Sequence, residues 1–415
     1  MKKVYFKTFG CRTNQFDTQV MMARLGRYEI ARDETEADVI VVNSCTVTNG
    51  ADSGVRGYIN QAARINPRAR LLLTGCGAFT KGEELFEAQK VSGVFGHSEK
   101  EKIVSFLDKE ERFFEIGDLE HVDTTVVEQF VGRSRAFIKI QEGCDFRCSY
   151  CIIPFVRGPA RSLDEAQILE QIRRLAANGF GEFILTGTNV GSYGIDRGTS
   201  IAGLLKKMSR IRGVRRLRIG SLEPVQITKE FKELLDEPWM AKHLHIALQH
   251  TSDRMLEIMN RRNSFAGDLE LFEEIASHGY ALGTDFIVGH PGEDDMVWRE
   301  AIERVKKLPL THVHAFTYSR RDGTPSSTMK PQVPGNVAKA RHKELTTLVK
   351  EKNLAFRRAL KGPLEILVES EKAGEYVGLD QYFNKIAIRC ERDIRGEWLF
   401  LESFEAVGEM NRGTF

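Results

Sequence analysis

Short apolar runs alternating with stretches of helix length set the tightest limit on what this chain can fold into. Three such runs fill its first part, and each ends on a cysteine: Val-Tyr-Phe-Lys-Thr-Phe-Gly before Cys11, Asp-Val-Ile-Val-Val-Asn-Ser before Cys45 and Leu-Leu-Leu-Thr-Gly before Cys76. Helix-compatible segments at 17–25 and 54–65 separate them, a βαβαβ pattern that predicts a parallel, Rossmann-like sheet. Ligands of such sheets bind beyond the carboxyl ends of the strands. Neighbouring strands lie about 4.8 Å apart, so three strand-end thiols can fall within roughly 10 Å, the scale of one metal cluster.

From 136 onward six further runs (136–141, 182–186, 215–220, 244–249, 283–289 and 312–318) alternate with helical stretches. Successive βα units imply a parallel barrel or partial barrel whose functional groups gather at the strand C-terminal ends. The segment 162–178 reads as a helix capped by Ser162 or Asp164, with Ile168, Ile172 and Leu175 on one face. A long basic helix is expected over 334–362, and the tail beyond Pro363 shifts to the period of short antiparallel strands, which suits a small β-barrel. The expected class is α/β: a Rossmann-like parallel-sheet domain at 1–118, a linker at 119–134, a partial (β/α)6 barrel at 135–355 and a β-barrel at 356–415.

A length of 415 residues with 41% hydrophobic content allows two or three cored domains. The net charge of +2 names no partner, so contact with nucleic acid must come from local basic patches such as 206–218 or the helix after Pro334, which are otherwise solvated faces. No run approaches the roughly 18 apolar residues of a membrane span, and the start Met-Lys-Lys-Val-Tyr-Phe lacks a secretory core, so a cytoplasmic location is expected. An odd count of seven cysteines then argues against a disulfide scaffold.

Cys144, Cys148 and Cys151 crowd into the loop after the first barrel strand, with no fourth ligand near. Structural zinc needs four ligands and fits poorly. An iron-sulfur cube held by three cysteines keeps one iron free to bind a substrate or cofactor. Cys390 sits apart from both triplets and reads as an ordinary half-buried thiol, and His243, His245 and His250 read as packed core residues.

The spacing Cys144-x3-Cys148-x2-Cys151, with Tyr150 before the last cysteine, resembles the defining motif of radical S-adenosylmethionine enzymes. Phe-Gly-Cys11-Arg-Thr-Asn14-Gln-Phe-Asp17, Asn43-Ser-Cys45-Thr-Val-Thr and Gly75-Cys76-Gly-Ala are similar to the N-terminal domain of the methylthiotransferases in that group. Later segments around Gly187-Thr-Asn189-Val-Gly191, Leu-Gln249-His-Thr-Ser-Asp and Thr284-Asp285-Phe-Ile-Val-Gly289-His-Pro-Gly292-Glu293 extend the resemblance over almost the whole chain. The run Arg157-Gly158-Pro159-Ala-Arg161-Ser162 looks most like the branch that acts on threonylcarbamoyladenosine in tRNA.

The resemblance implies two 4Fe-4S clusters, one on Cys144, Cys148 and Cys151 and one on Cys11, Cys45 and Cys76. It implies contacts to S-adenosylmethionine from Tyr150, Gly187, Asn189, Gln249, Gly289 and Glu293, the last two unless that stretch is merely a tight turn. Two S-adenosylmethionine molecules would be used per product, one for the methyl group and one for a radical that takes hydrogen from C2 of the purine, where sulfur enters. The implied partners are a tRNA anticodon stem-loop and an electron donor such as flavodoxin or ferredoxin, with the tail in the place of an RNA-binding TRAM barrel. Isopentenyladenosine in tRNA and a ribosomal protein stand as alternative substrates, and a non-catalytic iron-sulfur RNA-binding protein as the alternative of another class.

Overall fold

The computed structural model describes residues 1–128, 130 and 134–414. Its first sheet has six parallel strands, β1 (Lys3–Thr8), β2 (Glu29–Ile30), β3 (Val39–Ser44), β4 (Arg70–Gly75), β5 (Gly93–Phe95) and β6 (Phe113–Glu115), in the order β2-β1-β3-β4-β5-β6. β3 is buried along its whole length, as a strand covered by crossover helices on both faces must be. Ile40 and Val42 pack with Val55 and Ile59 of helix Asn49–Ile65 on one face, while Val39 and Val41 pack with Met21 of helix Arg12–Ala23 on the other. Thr8, Asn43 and Thr74 align in one register row. The loops carrying Cys11, Cys45 and Cys76 therefore leave three adjacent strands at the same rim.

Six more parallel strands follow: β7 (Ala136–Glu142), then, after the short antiparallel β8 (Arg161–Ser162), β9 (Glu182–Gly187), β10 (Arg216–Ile219), β11 (His243–His245), β12 (Ala281–Val288) and β13 (Leu310–Thr317). They pair as β10-β9-β7-β8 and β11-β12-β13, and the bridges Leu217–Met240 and Leu222–Ile246 join the two sets into one open, partial barrel. Helix Glu165–Ala177 starts at Asp164, whose carboxylate accepts from Gln167 N; Ser162 lies in β8 and binds Asp196 instead. The run expected as a strand over 244–249 keeps continuous ladder pairing at His243–His245 and then only the isolated bridges Leu222–Ile246 and Gln249–Phe286, with Gln249 at a left-handed φ of 66°.

The expected linker carries no helix or strand among its described residues, and Gln129 and 131–133 lie outside them. It is nonetheless fixed: Asp123 is buried in ion pairs with Lys100 and Lys139, and Val127 and Phe130 join the barrel core. Helix Gly335–Ala359 lies within the span 334–362 expected to be helical, crosses the domain boundary expected at 355, and leads into a curled six-stranded sheet of β14 (Leu364–Lys372), β15 (Glu375–Leu379), β16 (Lys385–Arg389), β17 (Trp398–Leu401), β18 (Glu405–Val407) and β19 (Met410–Thr414), ordered β17-β14-β15-β16-β19-β18. Leu401 of β17 packs against Gly413 of β19, where any side chain would collide with it, so the sheet folds over its Leu364, Ile366, Ile386 and Ile388 core.

This module docks on the lower rim of the barrel. Glu182 receives Arg216 Nε at 2.5 Å and Arg218 Nε at 2.8 Å, and both guanidiniums donate onward to carbonyls of the terminal sheet, Arg216 to Glu365 and Arg218 to Asp380. Two arginines of the basic run at 206–218 are therefore buried structural groups, unavailable to phosphate, and so are Arg341 and Arg357 of the long helix.

Candidate active site

Backbone shape assembles the N-terminal triplet. A Cβ on Gly10 would stand 2.6 Å from Cys45 Cβ and 2.9 Å from its sulfur, and one on Gly77 would stand 2.7 Å from Ser44 Oγ, so only glycine lets the three loops nest. The barrel triplet is formed in the same way. Gly143, at a φ of 74°, turns the chain out of β7, and a side chain there would collide with the Pro159 carbonyl. Cys144 N donates to Gly158 O at 3.0 Å, Cys151 N to Cys148 O at 3.1 Å, and Ser149 N to Met259 O at 3.0 Å, which pins the loop to the barrel.

The N-terminal triplet, with Cys11, Cys45 and Cys76, and the barrel triplet, through Cys151, share the wall of one cavity of about 370 Å³. Its other lining is largely apolar, with Ile152, Ile153, Ile287 and Phe316 beside Tyr150 and Gln249. All seven cysteines are free. Burial pushes the Cys76 thiol up to about 11 and the Cys151 thiol up to about 12, and raises Cys45 and Cys144 in the same direction. Thiolates in such a place need bound cations to form.

Each sulfur that has a nitrogen neighbour receives an N–H. Arg157 Nε points at Cys76 Sγ at 3.1 Å, Arg261 Nη1 at Cys148 Sγ at 3.5 Å, and Asn189 Nδ2 at Cys144 Sγ at 3.5 Å. Such donors suit sulfur that carries negative charge. The glycine cradles, the thiol donor set and these donors fit iron-sulfur clusters at both triplets. Asn189 Oδ1 is buried and makes no hydrogen bond with any described residue, which fits a donor group of a bound ligand such as an amine.

Arg157 belongs to a fully buried charge network that unites the two halves of the site. Its Nη1 donates to Asp17 at 2.9 Å and to Glu142, and its Nη2 to Asn14 Oδ1 at 2.5 Å. Lys139 binds Asp17 at 2.8 Å and Glu142 at 3.0 Å. Burial alone would raise the Asp17 carboxyl, yet Lys100, Lys139 and Arg157 together hold it well below the usual carboxylate range. Glu142 is lowered by Lys139 and Arg157 in the same way, against its own burial.

Of the residues expected to contact S-adenosylmethionine, Tyr150, Gly187 and Gln249 line the cavity, and Asn189 reaches the Cys144 sulfur. Gly289 and Glu293 do not reach the wall: both Glu293 oxygens accept from Gly289 N at 3.0 Å, and the carboxylate also binds Arg341 at 2.7 Å, so it braces the turn it sits in. Cys390 is half-buried in the terminal module, as expected. Sequence reasoning missed Arg261, Lys139 and Glu142, which no spacing announces; Arg157 stood inside a quoted motif without a role.

A partial parallel barrel with a Cys-x3-Cys-x2-Cys loop on its first strand defines a radical S-adenosylmethionine enzyme, a class that works with a 4Fe-4S cluster. Residues 138–305 match the Radical SAM superfamily, and residues 3–96 match Uncharacterized protein family UPF0004. A Helicobacter pylori (strain J99) protein named "Putative methylthiotransferase" is 54% identical, with 100% of both chains covered. The threonylcarbamoyladenosine tRNA methylthiotransferase MtaB of Aquifex aeolicus is 36% identical over 87% of this chain and 91% of its own length. The ribosomal protein uS12 methylthiotransferase RimO of Desulforudis audaxviator is 34% identical, covering 91% and 87%. The chain belongs to the methylthiotransferase family. Its fold is also that of the radical S-adenosylmethionine methyltransferase TsrM from Kitasatospora setae, at a TM-score of 0.61 and 16% identity, covering 79% of this chain and 77% of that one. No helix among the described residues is long and apolar enough to cross a membrane.

Proposed function

We propose that this enzyme adds a methylthio group to C2 of N6-threonylcarbamoyladenosine beside the tRNA anticodon, with electrons from a flavodoxin- or ferredoxin-type donor. One observation carries the reading: all three cysteines of the N-terminal triplet and Cys151 of the barrel triplet, from different sheets, line a single cavity. When bound, a cluster on Cys144, Cys148 and Cys151 supplies the electron that opens S-adenosylmethionine, and a second, on Cys11, Cys45 and Cys76, supplies the site from which sulfur is delivered. Asn189 and Gln249 orient the cosubstrate, with Tyr150 against it. Arg157 and Arg261 steady the sulfurs they touch, and Ile152, Ile153 and Ile287 keep water from the reacting centre. The terminal module at 356–415 acts as a TRAM-like RNA grip beside the units at 1–118 and 135–355, with 119–134 as their connection.

Mass spectrometry of tRNA nucleosides from cells with and without the gene tests the reading. Accumulation of unthiolated threonylcarbamoyladenosine, with other adenosine modifications unchanged, is the expected result. The likeness to RimO supports a second reading, in which the substrate is a ribosomal protein. A mass deficit on that protein with unaltered nucleosides would favour it.

A further inference from the structure

Beneath the cysteine triplets, three neighbouring barrel strands bring His245, Asp285 and His314 together, with one ligand atom from each lying within 4.8 Å of the others. His245 Nε2 stands 3.1 Å and His314 Nδ1 3.5 Å from Asp285 Oδ1. These separations bracket the edge of a tetrahedron built on metal–ligand bonds of 2.0–2.1 Å, about 3.3 Å. His245 is 8% exposed, and its Nε2 makes no aligned hydrogen bond with any described residue despite its nearness to the carboxylate. A buried imidazole nitrogen aimed at an oxygen but off the N–H···O line suits a lone pair directed at a shared cation. The surroundings keep this arrangement. Ser221 Oγ donates to the other Asp285 oxygen at 3.3 Å, and Gly283 leaves room for the ring, since a Cβ there would stand 2.8 Å from His245 Nδ1. The second histidine-acid grouping, Glu101, His121 and Asp123, offers no such site, because Thr124, Thr125, Lys100 and Lys139 occupy its oxygens.

We propose that His245, Asp285 and His314 bind a divalent transition-metal ion, distinct from the cysteine-held clusters. Two imidazoles and one carboxylate are a donor set for zinc or iron(II), and three protein ligands leave a coordination position open. Asp285 lines the main cavity, so that position faces the substrate space and takes an oxygen ligand, water or a carboxylate. The site requires neither the identity of the thiolated substrate nor the second cluster.

The test equilibrates anaerobically reconstituted holoprotein with zinc chloride, removes free metal, and measures zinc and iron per chain. About one zinc per chain with iron unchanged is expected, and His314→Ala and Asp285→Asn should each weaken zinc binding at least tenfold, the scale on which even outer-shell changes act. His314 is exposed, so its variant reports on binding without threatening the fold. Holoprotein that takes up no zinc, or a His314→Ala variant that binds as wild type does, overturns the proposal. Release of 5′-deoxyadenosine from the same samples reports separately on the cysteine sites, so their failure is distinguishable from this one.

Discussion

His97 shows how a single buried residue contributes to the pH response of the fold. It is 1% exposed, its Nε2 meets Val156 O at 2.8 Å, and burial, reinforced by Arg157, lowers its pKa to about 3. His290, fully buried between Pro291 O and Ser326, is lowered by burial to about 4. An unfolded chain protonates its histidines below about pH 6.5, whereas these two stay neutral when folded, so stability is lost as pH falls from 6.5 toward 4, by up to about 1.4 kcal/mol per pH unit for each. Asp17 and Glu142 act later. Their depressed carboxyls contribute above the unfolded value near 4 and lose that contribution only below it. Thermal melts of the cluster-free chain between pH 5 and 7 should therefore already slope, and His97→Gln should make the slope shallower, with His290 and the likewise lowered His243 and His312 keeping the rest. A slope unchanged by that variant would remove His97 from the account. Arg157→Met leaves Asp17 and Glu142 with less counter-charge in a dry interior, and a loss of about 3–5 kcal/mol is expected in the same melts.

Among the elements, the loop after β7 depends on a conformation rather than on a contact. Gly143→Ala introduces a side chain at a φ of 74° against the Pro159 carbonyl, so the loop must shift and Cys144 with it. Iron per chain after reconstitution should fall by about four, the content of one cube, relative to wild type. Retention of all the iron would show that the loop tolerates the change. The same loop marks how far the sequence was readable. Apolar runs and cysteine spacing sufficed for the parallel sheet, the partial barrel, both triplets and the helix beginning at Asp164, because period and strand-end position are local properties. Gln249 was legible as a site residue but not as a left-handed backbone position, since its positive φ follows from tertiary fit. Glu293 looked like a cofactor contact, yet its acceptors serve Gly289 and Arg341, and that pairing spans 48 residues of sequence. Arg216 and Arg218 read as a charge run on an open surface because nothing in a linear sequence reveals the Glu182 beneath them or the terminal sheet above.

At the scale of the whole molecule, Glu182 holds the terminal module to the barrel. It is 0% exposed, and it neutralises Arg216, Arg218 and Arg135, while Arg135 also reaches Glu369 of β14 at 2.5 Å. Trp398 adds a packed face, with the Arg215 and Arg216 guanidinium carbons 4.4 and 4.6 Å from its ring centroid. Glu182→Gln keeps the volume but leaves three guanidiniums facing one another in a desolvated seam, a loss on the order of 3–5 kcal/mol. The strain falls on the seam, because the Arg216 and Arg218 bonds to terminal-sheet carbonyls hold only while those arginines stay extended. Limited proteolysis of Glu182→Gln should therefore release the segment beyond helix Gly335–Ala359 at protease levels that spare wild type, with iron content unchanged because both cysteine triplets lie at the opposite rim. If the module supplies part of the RNA grip, tRNA affinity should fall in step with its release while 5′-deoxyadenosine formation persists. An affinity unaltered by a released module would place RNA binding on the units that carry the two cysteine triplets instead.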